Sequence, residues 1–196
     1  MKNKIIINGV GGVGKDSFVS RFYDVSGIPT CNISTIQEAE RILFALEPIL
    51  SLKQERELKT DLYRSLLYDT KALLVKYGDR PYRQTVKRVH ELENLFPGNA
   101  IFIHCREGAE ISKLVDYYGE QCITVLVERN VPVANNPADR MLDKYFGYNM
   151  IIEEFDLDKM DIYAEKLKGL IYGPDKSGID NATELKSSIA GSRKAV

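Results

Sequence analysis

The chain has 196 residues, and its 27 Lys and Arg against 28 Asp and Glu give a formal net charge of −1. This balance provides no overall attraction to nucleic acid or to an acidic membrane, so we expect neither as a partner. The length suits one α/β domain with a small helical insertion, and because no run of 18 apolar residues occurs, we expect no membrane span or signal peptide.

Five short apolar segments are predicted strands, and several are near-continuous runs of Ile, Val and Phe. Such runs suit strands buried on both faces of a parallel sheet. The segments are residues 3–8, 30–34, 100–104, 122–128 and 148–153. Helical patterns lie between them, and this alternation predicts a doubly wound α/β fold with right-handed crossovers.

Helix starts and stops can be predicted from local signals. The first helix is predicted to begin at Ser17. The second opens with Thr35 and Glu38, which have the spacing of a capping box, and is predicted to end before Pro48. A later helix is predicted to end at Gly119. The predicted apolar faces are Ile36, Ala39, Leu43 and Leu46; Ile111, Leu114, Val115 and Tyr118; and Met160, Tyr163, Ala164, Leu167 and Leu170.

The connection between the second and third strands, about residues 35–99, is far longer than the dozen residues that a crossover needs. We expect extra helices there, forming an insert at about residues 48–97 beside the sheet. One long helix is predicted to end at Gly78, and Asp79 is predicted to cap the next, with Pro81 in its first turn. The predicted apolar face of the long helix consists of Leu58, Leu62, Leu66, Leu73 and Tyr77.

This insert is locally basic. From Lys53 to Arg88 there are ten Lys or Arg and five Asp or Glu, an excess of five positive charges. Such an excess indicates either a solvated helix face or a surface that receives a phosphorylated substrate. We expect residues 1–172 to form a single domain, and residues 173–196, which are rich in Ser, Lys, Gly and Asp, to form a weakly packed polar tail.

Cysteine and histidine usage limits the chemistry open to the chain. Cys31, Cys105 and Cys122 lie in or beside predicted strands and show no paired spacing. We therefore expect free buried thiols in a reducing compartment, which favours a cytoplasmic location. The two histidines, His90 and His104, are too few for a histidine-based metal site, and His104 is expected to end its strand partly buried.

Residues 9–17, between the first strand and the first helix, read Gly-Val-Gly-Gly-Val-Gly-Lys-Asp-Ser. Glycines let successive backbone N–H groups turn toward anionic oxygens, and a helix N-terminus adds its own N–H groups and the positive end of its dipole. A lysine at the end of such a loop reaches the outer phosphates. We therefore predict that this segment binds a nucleoside triphosphate through Gly9, Gly11, Gly12, Val13, Gly14, Lys15, Asp16 and Ser17.

The same residues also match the dinucleotide-binding fingerprint G-x-G-x-x-G, through Gly9, Gly11 and Gly14. That fingerprint calls for an acidic residue about twenty positions on, to hold a ribose. Residues 30–34 read Thr-Cys-Asn-Ile-Ser and contain no carboxylate. A lysine after the last glycine has no role in a dinucleotide site, so triphosphate binding is the favoured interpretation.

Asp16 stands directly after Lys15, where GTPases place the Ser or Thr that binds magnesium, and the hydroxyl follows at Ser17. Asp16 could be an acid at a helix N-terminus, favourable by about 0.3–1 kcal/mol. It could also meet Mg²⁺, directly or through water, or take a proton from the attacking group. We favour the second interpretation, which makes Asp16 and Ser17 candidate metal ligands and makes Lys15 and Asp16 candidate catalytic residues.

The loop resembles that of the P-loop nucleoside monophosphate kinase-like family, in its Gly-Lys-Asp subset. That subset includes phage-type deoxynucleoside monophosphate kinases and animal phosphomevalonate kinases. The resemblance extends at pattern level through the third strand and turn at 101–110, the fourth strand ending at Arg129, and the segments 135–140 and 150–153. It implies a three-layer P-loop fold with a five-stranded parallel sheet, a helical substrate-binding insert and a short lid at about 129–147.

The resemblance also implies roles for individual residues. Arg106 would hold the acceptor phosphate, although a surface salt bridge to Glu107 or Glu110 is an equal alternative. Arg129 and Arg140 bracket the expected lid and would act catalytically, because guanidinium groups make planar, bidentate contacts to a phosphoryl group. Other candidate acceptor contacts are Glu107 near the third strand, and Lys59 and Arg64 on the long helix of the insert.

Three features depart from the family pattern. The family's third strand commonly ends near an Asp or Ser, whereas this chain has His104 and Cys105 there; Glu107 is the nearest carboxylate. Glu154 stands where the family often has an Asn after the fifth strand. The long helical insert has no recognisable substrate signature. These departures concern the metal geometry and the acceptor rather than the triphosphate site.

The leading functional hypothesis is an ATP-dependent kinase using Mg²⁺, with a small phosphorylated acceptor, first a nucleoside monophosphate and next another metabolite phosphate. The alternatives are a GTP-dependent switch or regulatory nucleotide-binding module, and a family member that binds nucleotide without catalysis. An Asn-Lys-x-Asp guanine-recognition motif does not occur, which disfavours the switch. A homodimer is possible.

Overall fold

A computed structural model of the chain describes residues 2–128, 147–153 and 156–173. Its centre is a five-stranded, all-parallel sheet with the strand order β2-β3-β1-β4-β5. The strands are β1 (Lys4–Asn8), β2 (Thr30–Ser34), β3 (Ala100–His104), β4 (Cys122–Val127) and β5 (Met150–Ile152). The five predicted strands and the α/β fold class are therefore confirmed.

Helices connect the strands. They are α1 (Lys15–Ser26), α2 (Gln37–Leu50), α3 (Lys53–Leu58), α4 (Asp61–Lys76), α5 (Arg80–Leu95), α6 (Gly108–Tyr118) and α7 (Leu157–Tyr172). A 3₁₀ turn at Gly119–Gln121 leads into β4. None of the helices in the described ranges is long and apolar enough to cross a membrane.

The sheet is buried on both faces, as its continuous apolar strands predict. In β1, Ile5 and Ile7 pack on one side against Phe18 and Phe22 of α1, in a cluster that also includes α7. Ile6 points to the opposite face and joins a cluster formed with α5 and α6. The alternation of side chains along a strand thus divides the core into two parts and produces three layers.

The long connection between β2 and β3 forms four helices. Ala39 and Leu43 of α2 pack against Tyr63 and Leu67 of α4, in a third apolar cluster separate from the two beside the sheet. The left-handed backbone at Lys59 (φ 50°) separates α3 from α4, so Lys59 lies in a turn and not on the long helix. The insert is helical, as predicted, but the long helix is interrupted.

The predicted apolar face of the long helix is largely wrong. Four of its members are more than half exposed: Leu58, Leu62, Leu73 and Tyr77. The buried face of α4 instead carries Tyr63, Leu67 and Lys71, spaced four residues apart. Because the turn at Lys59 shifts the phase between α3 and α4, a periodicity drawn through both selects the wrong side of α4.

The second helix also differs from its predicted boundaries. It continues through Pro48 to Leu50 and ends where Ser51 adopts a left-handed conformation (φ 54°). A proline in the last turn removes one backbone donor but has a helical φ, so two further residues can follow it. At the other end Ile36 is the N-cap residue, without a side-chain capping bond, so the capping box of Thr35 and Glu38 does not form.

The reason the box does not form is tertiary. The Thr35 hydroxyl oxygen accepts a hydrogen bond from Lys71 Nζ at 2.8 Å. Glu38 pairs with Arg80 (2.6 Å) and Arg41 (3.0 Å). Asp79 likewise occupies the predicted N-cap position of α5, but its carboxylate accepts from Lys113 at 2.5 Å instead of capping the helix. Lys71, Arg80 and Lys113, which are distant in sequence, thus occupy the polar groups that local capping would have used.

Candidate functional site

The phosphate loop, residues 9–17, begins where the backbone has room for glycine alone. Gly9 has φ 146°, and a Cβ built on it would lie 2.6 Å from the Val127 carbonyl oxygen and 2.9 Å from Val13 Cγ1. The Val127 oxygen belongs to the backbone at the end of β4 and cannot move aside cheaply. Any side chain at position 9 would therefore displace the loop from the sheet.

The loop leads directly into α1. Gly12 (φ 77°) and Gly14 (φ 104°) take left-handed conformations, and Gly14 is the N-cap residue, with its carbonyl accepting from Phe18 N–H at 2.9 Å. No side chain caps this helix end. The first N–H groups of α1 and its positive dipole end are therefore presented at the loop, as an anion site requires.

The Lys15 ammonium folds back over the loop. Its Nζ donates to the carbonyl oxygens of Gly9 at 2.6 Å and Val10 at 2.9 Å. Lys15 is the first residue of α1, so its side chain spans from the helix start to the loop start. This arrangement closes the loop into a ring and places a positive charge within it.

The side chain of Asn8 fixes the position of the first residue of the loop, Gly9. This side chain is fully buried, and its Oδ1 accepts from Gly9 N–H at 2.7 Å. Its Nδ2 donates to the Tyr148 hydroxyl oxygen at 2.6 Å. Tyr148 immediately precedes Asn149 and β5, so one amide side chain joins the loop to a segment 140 residues away in sequence. Sequence reasoning missed both residues.

The loop opens onto a cavity of about 1000 Å³. One side is the phosphate loop with the start of α1, represented by Lys15, Asp16 and Ser17. The second is the carboxyl edge of β2 and β3, where parallel strands commonly bind ligands. The third is formed by α2, by α3 with the turn after it, and by α4, which contribute Arg41, Phe44, Arg56, Lys59, Tyr63 and Arg64.

The cavity is positively charged. Its lining includes seven basic side chains, Lys15, Arg41, Arg56, Lys59, Arg64, Lys71 and Arg106, and three acidic ones, Asp16, Glu40 and Glu107. Four of the basic residues lie outside the loop, on α2, α3, α4 and the turn between α3 and α4. A concave surface with this excess of positive charge attracts anions.

An aromatic ring lies among these cations. Phe44 of α2 is 60% exposed and lines the cavity. The Arg56 guanidinium lies 5.4 Å from the centre of its ring, and Arg56 Nε donates to Glu47 at 2.6 Å. The cavity therefore offers an apolar, planar surface beside its basic groups.

Asp16 and His104 face each other across the cavity mouth. The Asp16 side chain is 97% exposed, and its Oδ1 lies 3.8 Å from His104 Nε2. The same His104 nitrogen lies 3.0 Å from Asn32 Oδ1. Burial lowers the pKa of His104, with Asp16 opposing this shift and Lys15 and Arg106 reinforcing it. His104 is thus a partly buried histidine at the end of its strand, as expected, and Asp16 is an accessible carboxylate.

A buried lysine lies at the base of the cavity. Lys71 Nζ donates to Thr35 Oγ1 at 2.8 Å, to Glu107 Oε2 at 2.6 Å and to Glu110 Oε2 at 2.6 Å. Only 5% of its side chain is exposed. We call these four residues the junction, because they join α4 of the insert to the ends of β2 and β3.

The electrostatics of the junction follow from this pairing. The two carboxylates raise the pKa of Lys71 against the opposing effect of burial. Lys71 in turn lowers the pKa of Glu107, while burial raises the pKa of Glu110. Cys105, whose Sγ lies 3.5 Å from Glu110 Oε2, has its thiol pKa raised well above its usual value by burial.

Cys105, Glu107 and Glu110 are close enough together to hold a metal ion. The Lys71 ammonium donates to Oε2 of each carboxylate, so its positive charge offsets one of the two negative charges there. Asp16 and Ser17, which line the cavity at the loop, provide accessible oxygen ligands of the kind Mg²⁺ prefers.

Several predicted site residues come together in the structure. Lys15, Asp16, Arg64, Arg106 and Glu107 all line the same cavity, although they span almost half of the chain. Glu107 and Glu110 pair with Lys71, the residue that sequence reasoning did not select. The loop members Gly11, Gly12, Gly14 and Ser17 also line the cavity.

Two of the predicted binding residues, Gly9 and Val13, do not line the cavity. Gly9 supplies the carbonyl that receives Lys15, and Val13 is fully buried, with its N–H 3.4 Å from the Val10 carbonyl oxygen. Arg129 and Arg140, the proposed lid and Glu154 lie outside the described residues. Arg41, Arg56 and Lys71 were missed; for Lys71 the signal was its place four residues after Leu67 on an apolar stripe.

No protein-family model and no curated protein match the sequence. Among solved structures, the chain is similar to a crystal structure of shikimate kinase from Aquifex aeolicus, with 15% identity over 87% of this chain and 99% of that chain and a TM-score of 0.42. It is also similar to a gluconokinase from Sinorhizobium meliloti, with 13% identity over 85% and 96% of the two chains and a TM-score of 0.37.

Proposed function

We propose that this chain is an ATP-dependent kinase that transfers the γ-phosphoryl group to a small phosphorylated acceptor, with a nucleoside monophosphate as the leading candidate. The observation that supports this most is the single cavity joining the phosphate loop to a second cluster of basic residues. A nucleotide-binding module needs the loop alone, whereas a transferase needs two anion sites facing each other.

The donor half uses the loop. The backbone N–H groups at the start of α1 and the Lys15 ammonium cradle the outer phosphates of ATP and stabilise the charge that develops during transfer. The oxygens of Asp16 and Ser17 fit Mg²⁺, which would neutralise phosphate charge when bound. Asp16 is accessible enough to accept a proton from the attacking group.

The acceptor half uses the opposite wall. Arg41, Arg56, Lys59 and Arg64 line this side of the cavity, and an anionic acceptor would share Arg41 and Arg56 with Glu38 and Glu47. Arginine suits a phosphate because its contacts are bidentate. The exposed Phe44 ring gives a planar surface on which a nucleobase can stack. This pairing of cations with an aromatic ring favours a nucleoside monophosphate over a sugar phosphate.

The test is a turnover assay with ATP, Mg²⁺ and a panel of ribo- and deoxyribonucleoside monophosphates, with sugar phosphates as the second panel. We expect ADP release that depends on at least one monophosphate and is lost in Lys15→Met. Arg64→Ala should raise the KM for that acceptor about tenfold or more, through loss of a charged contact of about 1.5–3 kcal/mol. Arg83→Ala, an exposed arginine outside the cavity lining, is the matched control and should behave like the parent.

The alternative of a regulatory or GTPase-like module makes a different prediction. Thermal shift with ATP and GTP distinguishes the two, because a bound nucleotide raises the unfolding temperature. A strong effect of GTP with none from ATP, together with no transfer to any acceptor, would reject the kinase proposal in favour of a switch.

A further inference from the structure

The junction holds the insert against the turn that carries two of the candidate acceptor residues. Lys71 comes from α4, Thr35 follows β2, and Glu107 and Glu110 lie at and just beyond the start of α6. The contacts span 36 and 39 residues of sequence. One ammonium therefore connects three elements that meet at the base of the cavity.

The geometry leaves Lys71 no capacity to bind a ligand itself. A lysine ammonium has three N–H donors, and the three are directed at Thr35, Glu107 and Glu110. Its side chain is 5% exposed, so an acceptor in the cavity would reach the neighbouring turn rather than the ammonium. Any influence of Lys71 on an acceptor must act through the residues it holds.

Glu107 is well placed to transmit that influence. It is the N-cap residue of α6, and its carbonyl oxygen accepts from the N–H groups of Glu110 and Ile111, both at 3.0 Å. Its side chain is 19% exposed and lines the cavity, and Arg106 precedes it on the same turn. Fixing the Glu107 carboxylate therefore fixes the turn from Cys105 to Glu107 relative to the insert.

We propose that Lys71 is a positioning residue, which holds the turn of Arg106 and Glu107 at the cavity so that the acceptor side keeps its shape. This inference rests on the proposed function for its effect on turnover. It extends that function because Lys71, a buried residue of the insert, then determines the affinity for the acceptor. Nucleotide binding at the loop does not depend on Lys71.

The direct variant Lys71→Met leaves two buried carboxylates without their cation and can prevent folding. The double variant Lys71→Met/Glu110→Gln removes a charge of each sign and keeps side-chain size, so it serves as the main test. Lys113→Met is the matched control, because Lys113 makes an ion pair with Asp79 on the surface, with its side chain 46% exposed.

The acceptor KM, compared with kcat and with the Kd for MgADP, separates a positioning role of Lys71 from a purely stabilising one. In the folded double variant we expect the acceptor KM to rise about tenfold or more, while kcat and the Kd for MgADP by calorimetry stay within about twofold of the parent. Lys113→Met should change none of the three. An acceptor KM equal to that of the parent in a folded double variant overturns the proposal.

Cys105 gives a readout that does not need turnover. It is 1% exposed and next to the junction, and its thiol is protected in the intact protein. In a background with Cys31→Ala and Cys122→Ala, N-ethylmaleimide should modify Cys105 about ten times faster or more in the double variant than in the parent. An unchanged rate means that Lys71 does not hold the turn, and it overturns the proposal as well.

The two proposals fail in distinguishable ways. If the parent transfers phosphate to no acceptor but Cys105 becomes reactive in the double variant, the kinase proposal is rejected and the positioning of the turn by Lys71 is supported. If the parent is an active kinase and neither the KM nor the Cys105 rate changes in the double variant, the positioning role is rejected alone.

Discussion

The Asn8 side-chain amide donates to the Tyr148 hydroxyl oxygen at 2.6 Å while its Oδ1 accepts from the Gly9 N–H at 2.7 Å. Asn8 ends β1, and Tyr148 precedes β5, which lies at the edge of the sheet beyond β4. The start of the phosphate loop is thus fixed by a residue that lies next to the edge strand β5.

Replacing Asn8 by Ala should weaken nucleotide binding. The buried Gly9 N–H would lose its acceptor, a cost of about 1–3 kcal/mol, and part of this appears as weaker binding if the loop relaxes. We expect the Kd for MgADP to rise about tenfold in Asn8→Ala and less in Tyr148→Phe, measured by calorimetry. Tyr172→Phe, at an exposed position, is the control. An unchanged Kd in Asn8→Ala would show that the loop holds its shape without this bond.

Gly9→Ala should abolish nucleotide binding more completely than any other alanine variant of the loop glycines. The new Cβ would lie 2.6 Å from the Val127 carbonyl oxygen, whereas the space around Gly12 is open to 4 Å. Gly98→Ala is a matched control, since Gly98 also has positive φ (94°) and open surroundings but lies away from the loop. We expect Gly98→Ala to lose some stability through strain and to keep the parent's Kd for MgADP. Tight binding by Gly9→Ala would contradict the described packing.

Asp16→Asn separates the two interpretations of this exposed acid. If Asp16 acts on metal or proton, we expect kcat to fall about 100-fold or more while the Kd for ATP changes little. If it is only a helix-end acid, stability should fall by about 0.3–1 kcal/mol and turnover should be unchanged. Turnover kinetics with calorimetry of ATP binding decide between them, with Asp24→Asn in the same helix as the control.

The ion pair between Arg21 and Asp161 predicts a pH dependence of stability. It joins α1 to α7, with Arg21 Nη2 donating to Asp161 Oδ2 at 2.7 Å. This hydrogen bond lowers the pKa of Asp161. A carboxyl with a lowered pKa in the folded state stabilises the fold above its unfolded pKa, and this stabilisation is lost as pH falls through the folded pKa.

Asp161→Asn should therefore unfold at lower urea concentration than the parent at pH 7, and the gap should close as the pH falls below the ordinary aspartate range. Glu165→Gln, on the same helix and paired only with Lys168 at 3.6 Å in the described residues, should show a smaller gap. Urea titrations across pH 3–7 measure both. A constant gap for Asp161→Asn would mean that its effect is not electrostatic.

The parts of the fold that were predictable depend on local chemistry. Runs such as Ile5 to Ile7 have to be buried on both faces, so they indicate parallel strands wherever they occur. The glycines and Lys15 of the loop were also identifiable, because their conformations and charge act within nine consecutive residues. Gly119 ends its helix as predicted for the same local reason.

The capping errors arose where a distant residue competes for a polar group. Thr35 has the sequence of a helix cap, but its hydroxyl receives the Lys71 ammonium from 36 residues away. Lys71 itself looks like a solvated lysine until α4 packs on α2 and buries it beside two carboxylates. Neither outcome can be derived from spacing along the chain, since the competing partner is brought there by the packing of the insert.

The sequence by itself determined the strands, the glycine-rich loop that leads into α1 and the basic character of the insert, because each depends on residues that are neighbours in the chain. The tertiary structure decided which of those charges face each other: it brought Arg64 and Arg106 into one cavity with Lys15 and buried Lys71 with Glu107 and Glu110 beneath it. The physical reason is that a parallel sheet gathers the ends of β1, β2 and β3 at one edge, and a buried ammonium is stable only where carboxylates from other elements meet it.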